Sequence, residues 1–277
     1  MTDWSAWVGR EERRRDRLDP ALAARWLATF DLPAQGEGAM PQGIHFCLCT
    51  PDAPTVALGE DGHPKRDDSA TSLLPPVPLP RRMWAASEIE FHAPIAIGAE
   101  IERVSRVASI TPKSGKSGEM VFVEVLHETF ADSALTVRET QTLVYREAAA
   151  SDAPLQPAPL GDGRFNSGEW QSHRALTPQE PLLFRFSALT FNTHRIHYDL
   201  PYARDFERYR GLVVHGPLMA SLLLQLGGPM KRFAFRAVSP AIVGESLHLV
   251  SRAKGDALAL GAFADDGRQV VQAEATR

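Results

Sequence analysis

The sequence has 277 residues and a formal net charge of −4, with 44% hydrophobic and 23% charged residues. These proportions are typical of a globular protein, and the length allows one large domain or two smaller ones. The acidic balance argues against a nucleic-acid partner, which would require a basic surface. No run approaches eighteen apolar residues, so the sequence predicts no membrane-spanning helix.

The N-terminal region has no apolar stretch of the kind found in secretory signals, which favours a cytoplasmic protein. Its charged cluster "REERRRDR" (10–17) mixes both signs and is interpreted as the solvated face of a helix. Asp19 and Pro20 then form a typical helix start, followed by apolar residues at helical spacing up to Leu32.

The two cysteines, Cys47 and Cys49, would lie on one face if this segment were a strand. A disulfide or a two-thiol metal site is compatible with that spacing. We favour the interpretation that both are small buried residues of an intracellular protein.

A faint repeat relates the two halves of the chain. Residues 94–106 and 240–252 share Pro, Gly, Val, Ser and Arg at the same offsets, 146 residues apart. "FAD" recurs at 130–132 and 263–265, 133 residues apart, each time at the tip of a predicted hairpin. The difference of 13 residues matches "ITPKSGKSGEMVF" (110–122), which is interpreted as a loop present only in the first half. The pattern predicts an internal duplication.

The strand pattern supports two similar halves. Apolar and polar residues alternate, as in antiparallel strands, within the segments 86–94, 99–110, 120–130, 134–146, 232–238, 245–253 and 257–275. The Ala-, Pro- and Gly-rich segment 147–170 lacks periodicity and contains the predicted linker. We therefore predict an N-terminal half (1–148), a linker (149–164) and a C-terminal half (165–277), in an α+β fold whose antiparallel sheets wrap round helices.

The segment "FNTHRIHYD" (191–199) concentrates polar residues before an apolar helix predicted from about Gly216. A neutral imidazole can both take and return a proton, so His197 is the candidate acid–base group. The Asn192 amide would hold a water or the acyl group, and His194 would complete a hydrogen-bonding arc. A structural role is the alternative for each of them.

Gly216 allows a close backbone approach, and Pro217 suits the first turn of a helix. The unpaired N–H groups and the positive end of the helix dipole would then face the preceding segment. A thioester carbonyl gains negative charge during addition to its conjugated double bond, so the Gly216 N–H is a candidate oxyanion donor. An ordinary helix start, with glycine for tight packing, is the alternative.

A metal site built from His194, His197 and His215 is a specific alternative to an acid–base role for these histidines. The first two histidines are three residues apart, a spacing that can share a metal on a helix. No matching carboxylate or thiolate spacing follows, so the sequence predicts no functional metal.

Three segments of the chain resemble the MaoC-like branch of the hot-dog superfamily. They are "FSALTFNTHRIHYDLPYA" (186–203), "HGPLMASLLL" (215–224) and "LLPPVPLPRRMWAASEIEFHAPIAIG" (73–98). The similarity is to the two-hot-dog hydroxyacyl-thioester dehydratases and to mesaconyl-C4-CoA and itaconyl-CoA hydratases. It implies a double hot-dog fold in which the C-terminal half (165–277) is catalytic and the N-terminal half (1–148) is not. It also implies reversible hydration of a 2-enoyl thioester, without metal or redox cofactor.

The resemblance also implies roles for particular residues. His197 matches the catalytic histidine of this family and Gly216 its thioester-binding glycine. Many single-domain members have Asp at the position of Asn192 and Asn at that of His194. Because an amide cannot act as a base, either His197 alone handles the proton while Asn192 orients water, or Asp199 contributes. We favour the first alternative.

The acyl group is indicated less directly. Arg195 is a candidate partner for the free carboxylate of a dicarboxylic acyl-CoA, or else it pairs with Asp199 or lies at the surface. His194, Arg195, Asp199 and His215 are the expected substrate-binding residues, for a thioester of CoA or of acyl carrier protein. A homodimer is a further expectation. The other functions considered are a dehydratase of fatty-acid synthesis, a hot-dog thioesterase and a non-catalytic acyl-CoA-binding protein.

Overall fold

A computed structural model describes residues 3–34, 38–67, 69, 71–115 and 118–277. Its regular elements, in chain order, are β1 (Glu11–Arg17), α1 (Pro20–Thr29), β2 (Arg81–Phe91), β3 (Glu100–Gly115), β4 (Gly118–Ala131), β5 (Ala134–Arg146), β6 (Ser172–Leu176), α2 (Glu180–Thr190), α3 (Gly216–Gly227), β7 (Arg232–Ala237), β8 (Leu247–Lys254), β9 (Ala257–Ala264) and β10 (Gln269–Thr276). The α+β prediction is confirmed, and each segment predicted from alternation contains a strand.

The ten strands form one antiparallel sheet in the order β1-β3-β4-β5-β2-β7-β10-β9-β8-β6. This order is a palindrome, because each strand of the first half has a counterpart at the mirrored position in the second. The halves join where β2 pairs with β7, from Ala86↔Arg236 to Glu90↔Arg232. The two halves therefore share a continuous hydrogen-bonded surface.

The repeated sequence motifs lie at equivalent places in this sheet. Gly98 and Gly244 have φ values of 94° and 82° and precede β3 and β8 respectively. Ile101 pairs with Ala131 in the first half, and their counterparts Leu247 and Ala264 pair in the second. The two glycines therefore occupy equivalent positions before equivalent strands, as the internal duplication predicts.

The core lies between the sheet and its helices. Asp19 caps α1 by accepting hydrogen bonds from the N–H groups of Ala21 and Leu22. Trp26 of α1 and Phe186 of α2 are fully buried, and Phe30 joins them with its ring centroid 6.3 Å from that of Phe186. These contacts tie the first helix of each half to the other.

The helix α3 is the most buried helix of the protein. Eight of its twelve residues are buried, which explains its nearly uniform apolar composition. At the corresponding place in the first half, the described chain has only a short 3₁₀ turn, Ile44–Cys47. A Cβ on Gly43, before this turn, would approach Ser221 Oγ of α3 to 3.0 Å, so the turn packs closely against α3.

Two N-terminal segments differ in structural detail from what their sequence indicated. The charged cluster is not a helix face but forms β1, whose charges pair with β3 through Arg13–Glu102 and Glu11–Arg106. The two cysteines do not lie on a strand. Both are buried and free, as we favoured, with Cys47 in the 3₁₀ turn and Cys49 at a φ of 51°.

The segment interpreted as a loop is mostly β structure. β3 continues to Gly115 and β4 starts at Gly118, while residues 116 and 117 lie outside the described part. The extra residues of the first half therefore lengthen a hairpin. Residues 147–171 contain no helix or strand, in agreement with the irregular structure predicted for the linker region. None of the described helices is long and apolar enough to cross a membrane.

Candidate active site

The segment between α2 and α3 brings the predicted polar residues together. α2 ends at Phe191, which adopts the left-handed conformation with φ 48°. The chain then turns through Arg195–His197, a short 3₁₀ turn, and later forms an isolated β-bridge between Val213 and Ile242. His197 and His215 therefore meet beside the start of α3.

His197 is held by hydrogen bonding on one edge and by stacking on one face. Its Nδ1 lies 2.7 Å from the carbonyl oxygen of Val213, and its ring stacks on His215 with centroids 3.5 Å apart. Because a carbonyl only accepts, Nδ1 carries the hydrogen. Burial lowers the pKa of His197 to about 4, against the opposing effect of the Val213 hydrogen bond. At neutral pH, Nε2 therefore has a free lone pair.

His215 links His197 to α2 and α3. Its Nε2 is 2.9 Å from Ser187 Oγ, and the residue caps the start of α3. Burial, and then the proximity of His197, place its pKa well below the ordinary value for histidine. Its Nδ1 is buried and has no hydrogen-bond partner in the described part of the chain. This atom is a polar group that a ligand or water would satisfy.

Gly216 is the first residue of α3, so its N–H has no partner within the helix. No described heavy atom lies within 4 Å of the point where a Cβ would project, apart from its chain neighbours and the helix backbone. The backbone is therefore open to close approach at the positive end of the helix dipole. A carbonyl oxygen that gains negative charge is suited to this position.

The predicted arc of Asn192 and His194 is formed by a local turn. Asn192 Oδ1 accepts a hydrogen bond of 2.9 Å from the His194 backbone N–H, which leaves the two amide hydrogens of Asn192 as donors. The His194 ring lies edge-to-face with His197, at 5.5 Å between centroids. Burial, followed by the neighbouring histidines, places the pKa of His194 well below the ordinary value.

Arg195 pairs with Asp199, one of the alternatives considered from the sequence. Its Nε and Nη2 donate to Asp199 Oδ2 at 2.9 and 2.6 Å, and its Nη1 donates to the carbonyl oxygen of Glu60. Asp199 also accepts from the Tyr202 N–H, which holds the pKa of Asp199 below its usual range together with Arg195. The guanidinium is not free to bind a substrate carboxylate, and Asp199 secures the turn.

A loop of the first half, Gly59–His63, packs directly on this segment. Arg195 N donates to Asp61 O at 2.9 Å, and Thr193 Oγ1 donates to Gly62 O at 2.5 Å. A Cβ on Gly62 would lie 1.9 Å from Thr193 O, so only glycine allows this contact. The ring of His63 lies 4.1 Å from that of His194. Sequence reasoning missed this loop, because nothing in the pattern links "GEDGH" to a segment about 130 residues later.

Arg82 brings a positive charge to the same group of residues. In the described part of the chain, the Arg82 side chain forms neither a hydrogen bond nor an ion pair, unlike that of its neighbour Arg81, which binds Glu207 at 2.5 Å. Burial and then the charge of Arg82 lower the pKa of His63. Arg82 also contributes to the lowered pKa of His194, after burial and the neighbouring histidines. Arg82 is therefore a cation that acts on the histidine cluster, together with Arg66, which has a smaller effect on His63.

Two groups of residues have the side-chain types of a metal site. His197 Nδ1 is bonded to Val213 and the ring stacks on His215, so these two rings do not converge on a common point. Asp61, His63 and His194 each place one ligand atom within 4.8 Å of the others. However, Asp61 already binds His63 Nδ1, and the His63 ring is tilted by 38° against the ring of His194. We interpret this trio as a hydrogen-bonded Asp61–His63 pair that packs against the His194 ring.

Comparison with solved structures defines the class of fold. A MaoC-like dehydratase from Phytophthora capsici superposes with a TM-score of 0.69 at 12% identity and covers 100% of this chain and 97% of its own. A Mycobacterium tuberculosis protein described as a double hot-dog fold gives a TM-score of 0.58 at 13% identity, covering 97% and 95%. The protein is a double hot dog, as predicted.

Sequence comparison gives the family. Residues 43–243 match the model of hydroxyacyl-thioester dehydratase type 2. The chain is 39% identical to the mesaconyl-C(4)-CoA hydratase of Chloroflexus aurantiacus over 98% of this chain and 96% of that protein. It therefore belongs to the hydroxyacyl-thioester dehydratase type 2 family, and the predicted relationship to MaoC-like hydratases and dehydratases is confirmed.

Proposed function

We propose that this protein catalyses the reversible hydration of a 2-enoyl thioester, with His197 as the acid–base residue and Gly216 as the oxyanion donor. Membership of the hydroxyacyl-thioester dehydratase type 2 family supports a hydro-lyase. The observation that carries the assignment of residues is the His197 imidazole. Its Nδ1 is fixed on Val213 O while Nε2 remains available, beside the open start of α3.

Hydration follows from this geometry. His197 Nε2 takes a proton from water as the water oxygen bonds to the β-carbon of the substrate. The electron pair of the double bond moves towards the thioester, and the Gly216 N–H stabilises the negative charge on the carbonyl oxygen. The imidazolium then returns the proton to the α-carbon, which gives the 3-hydroxyacyl thioester. Asn192 orients the water through its free amide hydrogens, and dehydration is the reverse sequence.

The substrate that we propose is a CoA thioester of a short dicarboxylic acid, such as mesaconyl-C4-CoA or itaconyl-CoA. The relative from Chloroflexus aurantiacus, whose name specifies mesaconyl-C(4)-CoA, supports this choice. Arg195 is occupied by Asp199, so we assign the free acyl carboxylate to Arg82, a cation beside the histidine cluster whose side chain has no partner among the described residues. An acyl-carrier-protein thioester is the alternative carrier. We further propose that the protein is cytoplasmic and homodimeric and that it binds neither nucleic acid nor a membrane.

A panel of enoyl-CoA substrates tests the reaction. Loss of enoyl absorbance without release of free thiol is expected from the wild-type protein, because hydration leaves the thioester intact. A thioesterase would release CoA thiol, which a thiol reagent detects. A non-catalytic binding protein would bind crotonyl-CoA without changing its absorbance. Either of these results would exclude the proposed hydratase.

The Arg82→Gln variant tests the substrate. If Arg82 binds the acyl carboxylate, kcat/KM for mesaconyl-C4-CoA should fall about 10- to 100-fold, the usual effect of losing one charged hydrogen bond. Crotonyl-CoA has no such carboxylate and serves as the internal control, so its kcat/KM should change less than about threefold. Equal losses with both substrates would contradict the assignment.

A further inference from the structure

The first half contributes a hydrogen-bonded acid–imidazole pair to the candidate active site. Asp61 Oδ2 lies 2.9 Å from His63 Nδ1, and Asp61 Oδ1 accepts a second bond of 2.9 Å from the His63 backbone N–H. An ionised carboxylate only accepts, so His63 Nδ1 carries the hydrogen and Nε2 has the lone pair. The side chains are about four-fifths buried, with 22% and 21% of their surfaces exposed.

This pair is in contact with the residues proposed for catalysis. The His63 ring lies 4.1 Å from the His194 ring, which lies edge-to-face with His197 at 5.5 Å. His197 in turn stacks on His215 at 3.5 Å. Four imidazoles thus form one continuous array across the two halves, with the Asp61 carboxylate at its outer end.

The histidine array requires a nearby negative charge during the reaction, and no residue of the second-half segment supplies it. When His197 takes a proton from water, the array gains a positive charge in a buried place. A carboxylate near a catalytic imidazole stabilises such a charge. Asn192 is a neutral amide whose oxygen is bound to His194, and Asp199 is neutralised by Arg195. Asp61 is the carboxylate that is hydrogen-bonded to the array in the described part of the chain.

We propose that Asp61 and His63 are positioning residues of this active site, which orient His194 and stabilise the positive charge that the array gains during hydration. The first half thereby supplies the negative charge that the second half lacks at Asn192. The inference rests on the proposed hydratase function. The proton of the water still passes to His197 Nε2 and then to the α-carbon, so the pair neither gains nor loses a proton over the cycle.

The pH dependence of the rate tests this role. The charged and titratable groups around His63 are Asp61, Arg66, Arg82 and His194. Removing the Asp61 charge makes every imidazolium of the array harder to form. In Asp61→Asn, the acidic limb of the kcat profile should therefore move to lower pH, while kcat on the plateau falls about 10- to 100-fold. KM should change little, because the charge is needed only after proton transfer.

Four further variants make this test specific. His63→Gln should lower kcat by a similar factor, and the double variant Asp61→Asn/His63→Gln should lose no more than either single variant, because the two residues act as one unit. Asp61→Glu, which keeps the charge, should recover part of the rate. Glu60→Gln is the matched control, since it removes the adjacent charge of the same loop while its backbone contact to Arg195 remains. It should behave as the wild type.

The outcomes separate this inference from the proposed function. If the wild type hydrates enoyl-CoA and His197→Ala does not, but Asp61→Asn keeps the wild-type kcat and pH profile, the inference is wrong and the function stands. A loss of rate in Asp61→Asn with an unmoved acidic limb and a lowered melting temperature would reduce the pair to a structural role. Stoichiometric zinc whose removal by chelation abolishes activity would identify the trio as a metal site and overturn the inference. If no enoyl-CoA is hydrated by the wild type, the proposed function itself fails.

Discussion

The imidazole of His197 is fixed at one ring nitrogen and free at the other. Val213 O binds Nδ1, and the stacked ring of His215 restricts rotation. This fixes the tautomer that a general base requires, without any carboxylate in direct contact with His197. We therefore expect the proton transfer in hydration to pass through this one buried imidazole.

We expect His197→Ala to lower kcat about 10²- to 10⁴-fold, the usual contribution of one positioned proton carrier. KM should change little, because the imidazole acts mainly in the transition state. Since the pKa of His197 is lowered to about 4, the wild-type rate should stay on its plateau down to about pH 5 and fall below it as the base is protonated. Initial rates after a rapid pH change measure this. Near wild-type hydration by His197→Ala would refute the assignment.

The Asn192→Asp variant tests whether the Asn192 amide acts as a hydrogen-bond donor to the substrate or water. A carboxylate would keep the acceptor that binds His194 N–H, but it would lose both amide donors and repel an anionic acyl group. We expect kcat/KM for mesaconyl-C4-CoA to fall at least about tenfold, with a smaller loss in Asn192→Ala than in His197→Ala. Activity that survives or rises, with a new acidic pKa, would show that the amide only replaces a carboxylate.

Local sequence predicted part of the site for a clear reason. Asn192, His194 and His197 lie within one short turn, so their spacing along the chain limits their spacing in the structure. The pairing of Arg195 with Asp199, four residues apart, was one of several alternatives and could be selected only from the coordinates. Asp61 and His63 were missed because their approach depends on how the two halves pack.

The loop 59–63 is held against the site by backbone contacts rather than by apolar side chains. Gly62 makes these contacts possible, with a φ of 87° and Thr193 O close to its Cα. Any side chain at this position would push the loop away from His194.

We expect Gly62→Ala to lower kcat and to destabilise the protein by about 1–3 kcal/mol, through backbone strain and the clash with Thr193. The matched control is Gly98→Ala, where φ is 94° but no described atom lies within 4 Å of the added Cβ. That variant has the strain without the clash and should keep its activity. Kinetics and thermal unfolding of both variants check this, and equal kcat values would contradict the proposed contact.

Periodicity predicted elements well where burial alternates. The strands from β2 to β5 and from β7 to β10 have apolar residues on one face, so their pattern is readable. β1 consists of seven charged residues, and its position is determined by pairing with β3 and by ion pairs such as Arg13–Glu102. Such tertiary contacts leave no periodic signal, which explains why a helix was favoured there.

At the scale of the whole molecule, many histidines are buried in neutral form. Burial lowers the pKa of His45 and His127 to about 3, and that of His197 to about 4. Such groups bind protons only when the chain unfolds, so stability decreases as the pH falls below about 6.5. Glu139 has the opposite effect, because burial raises its pKa to about 7.

We expect the free energy of unfolding to be lower at pH 5 than at pH 7. Over this pH range, each of the three histidines lowers the free energy of unfolding by about 2 kcal/mol, and Glu139 raises it by about the same amount as one histidine lowers it. Denaturant unfolding at the two pH values measures the difference. In His127→Gln, which retains a polar side chain beside Ser105, the difference should shrink by about 2 kcal/mol. An unchanged difference would show that His127 is not buried neutral.

The palindromic sheet has a consequence for how such a protein can change over generations. In an assembly of two identical hot dogs, every substitution appears twice and alters both active sites at once. Here the halves are separate stretches of one chain joined through β2 and β7, so a mutation in the loop 59–63 reaches the histidine array only once. A substitution in the first half can thus alter the surroundings of the substrate without a matching change beside His197.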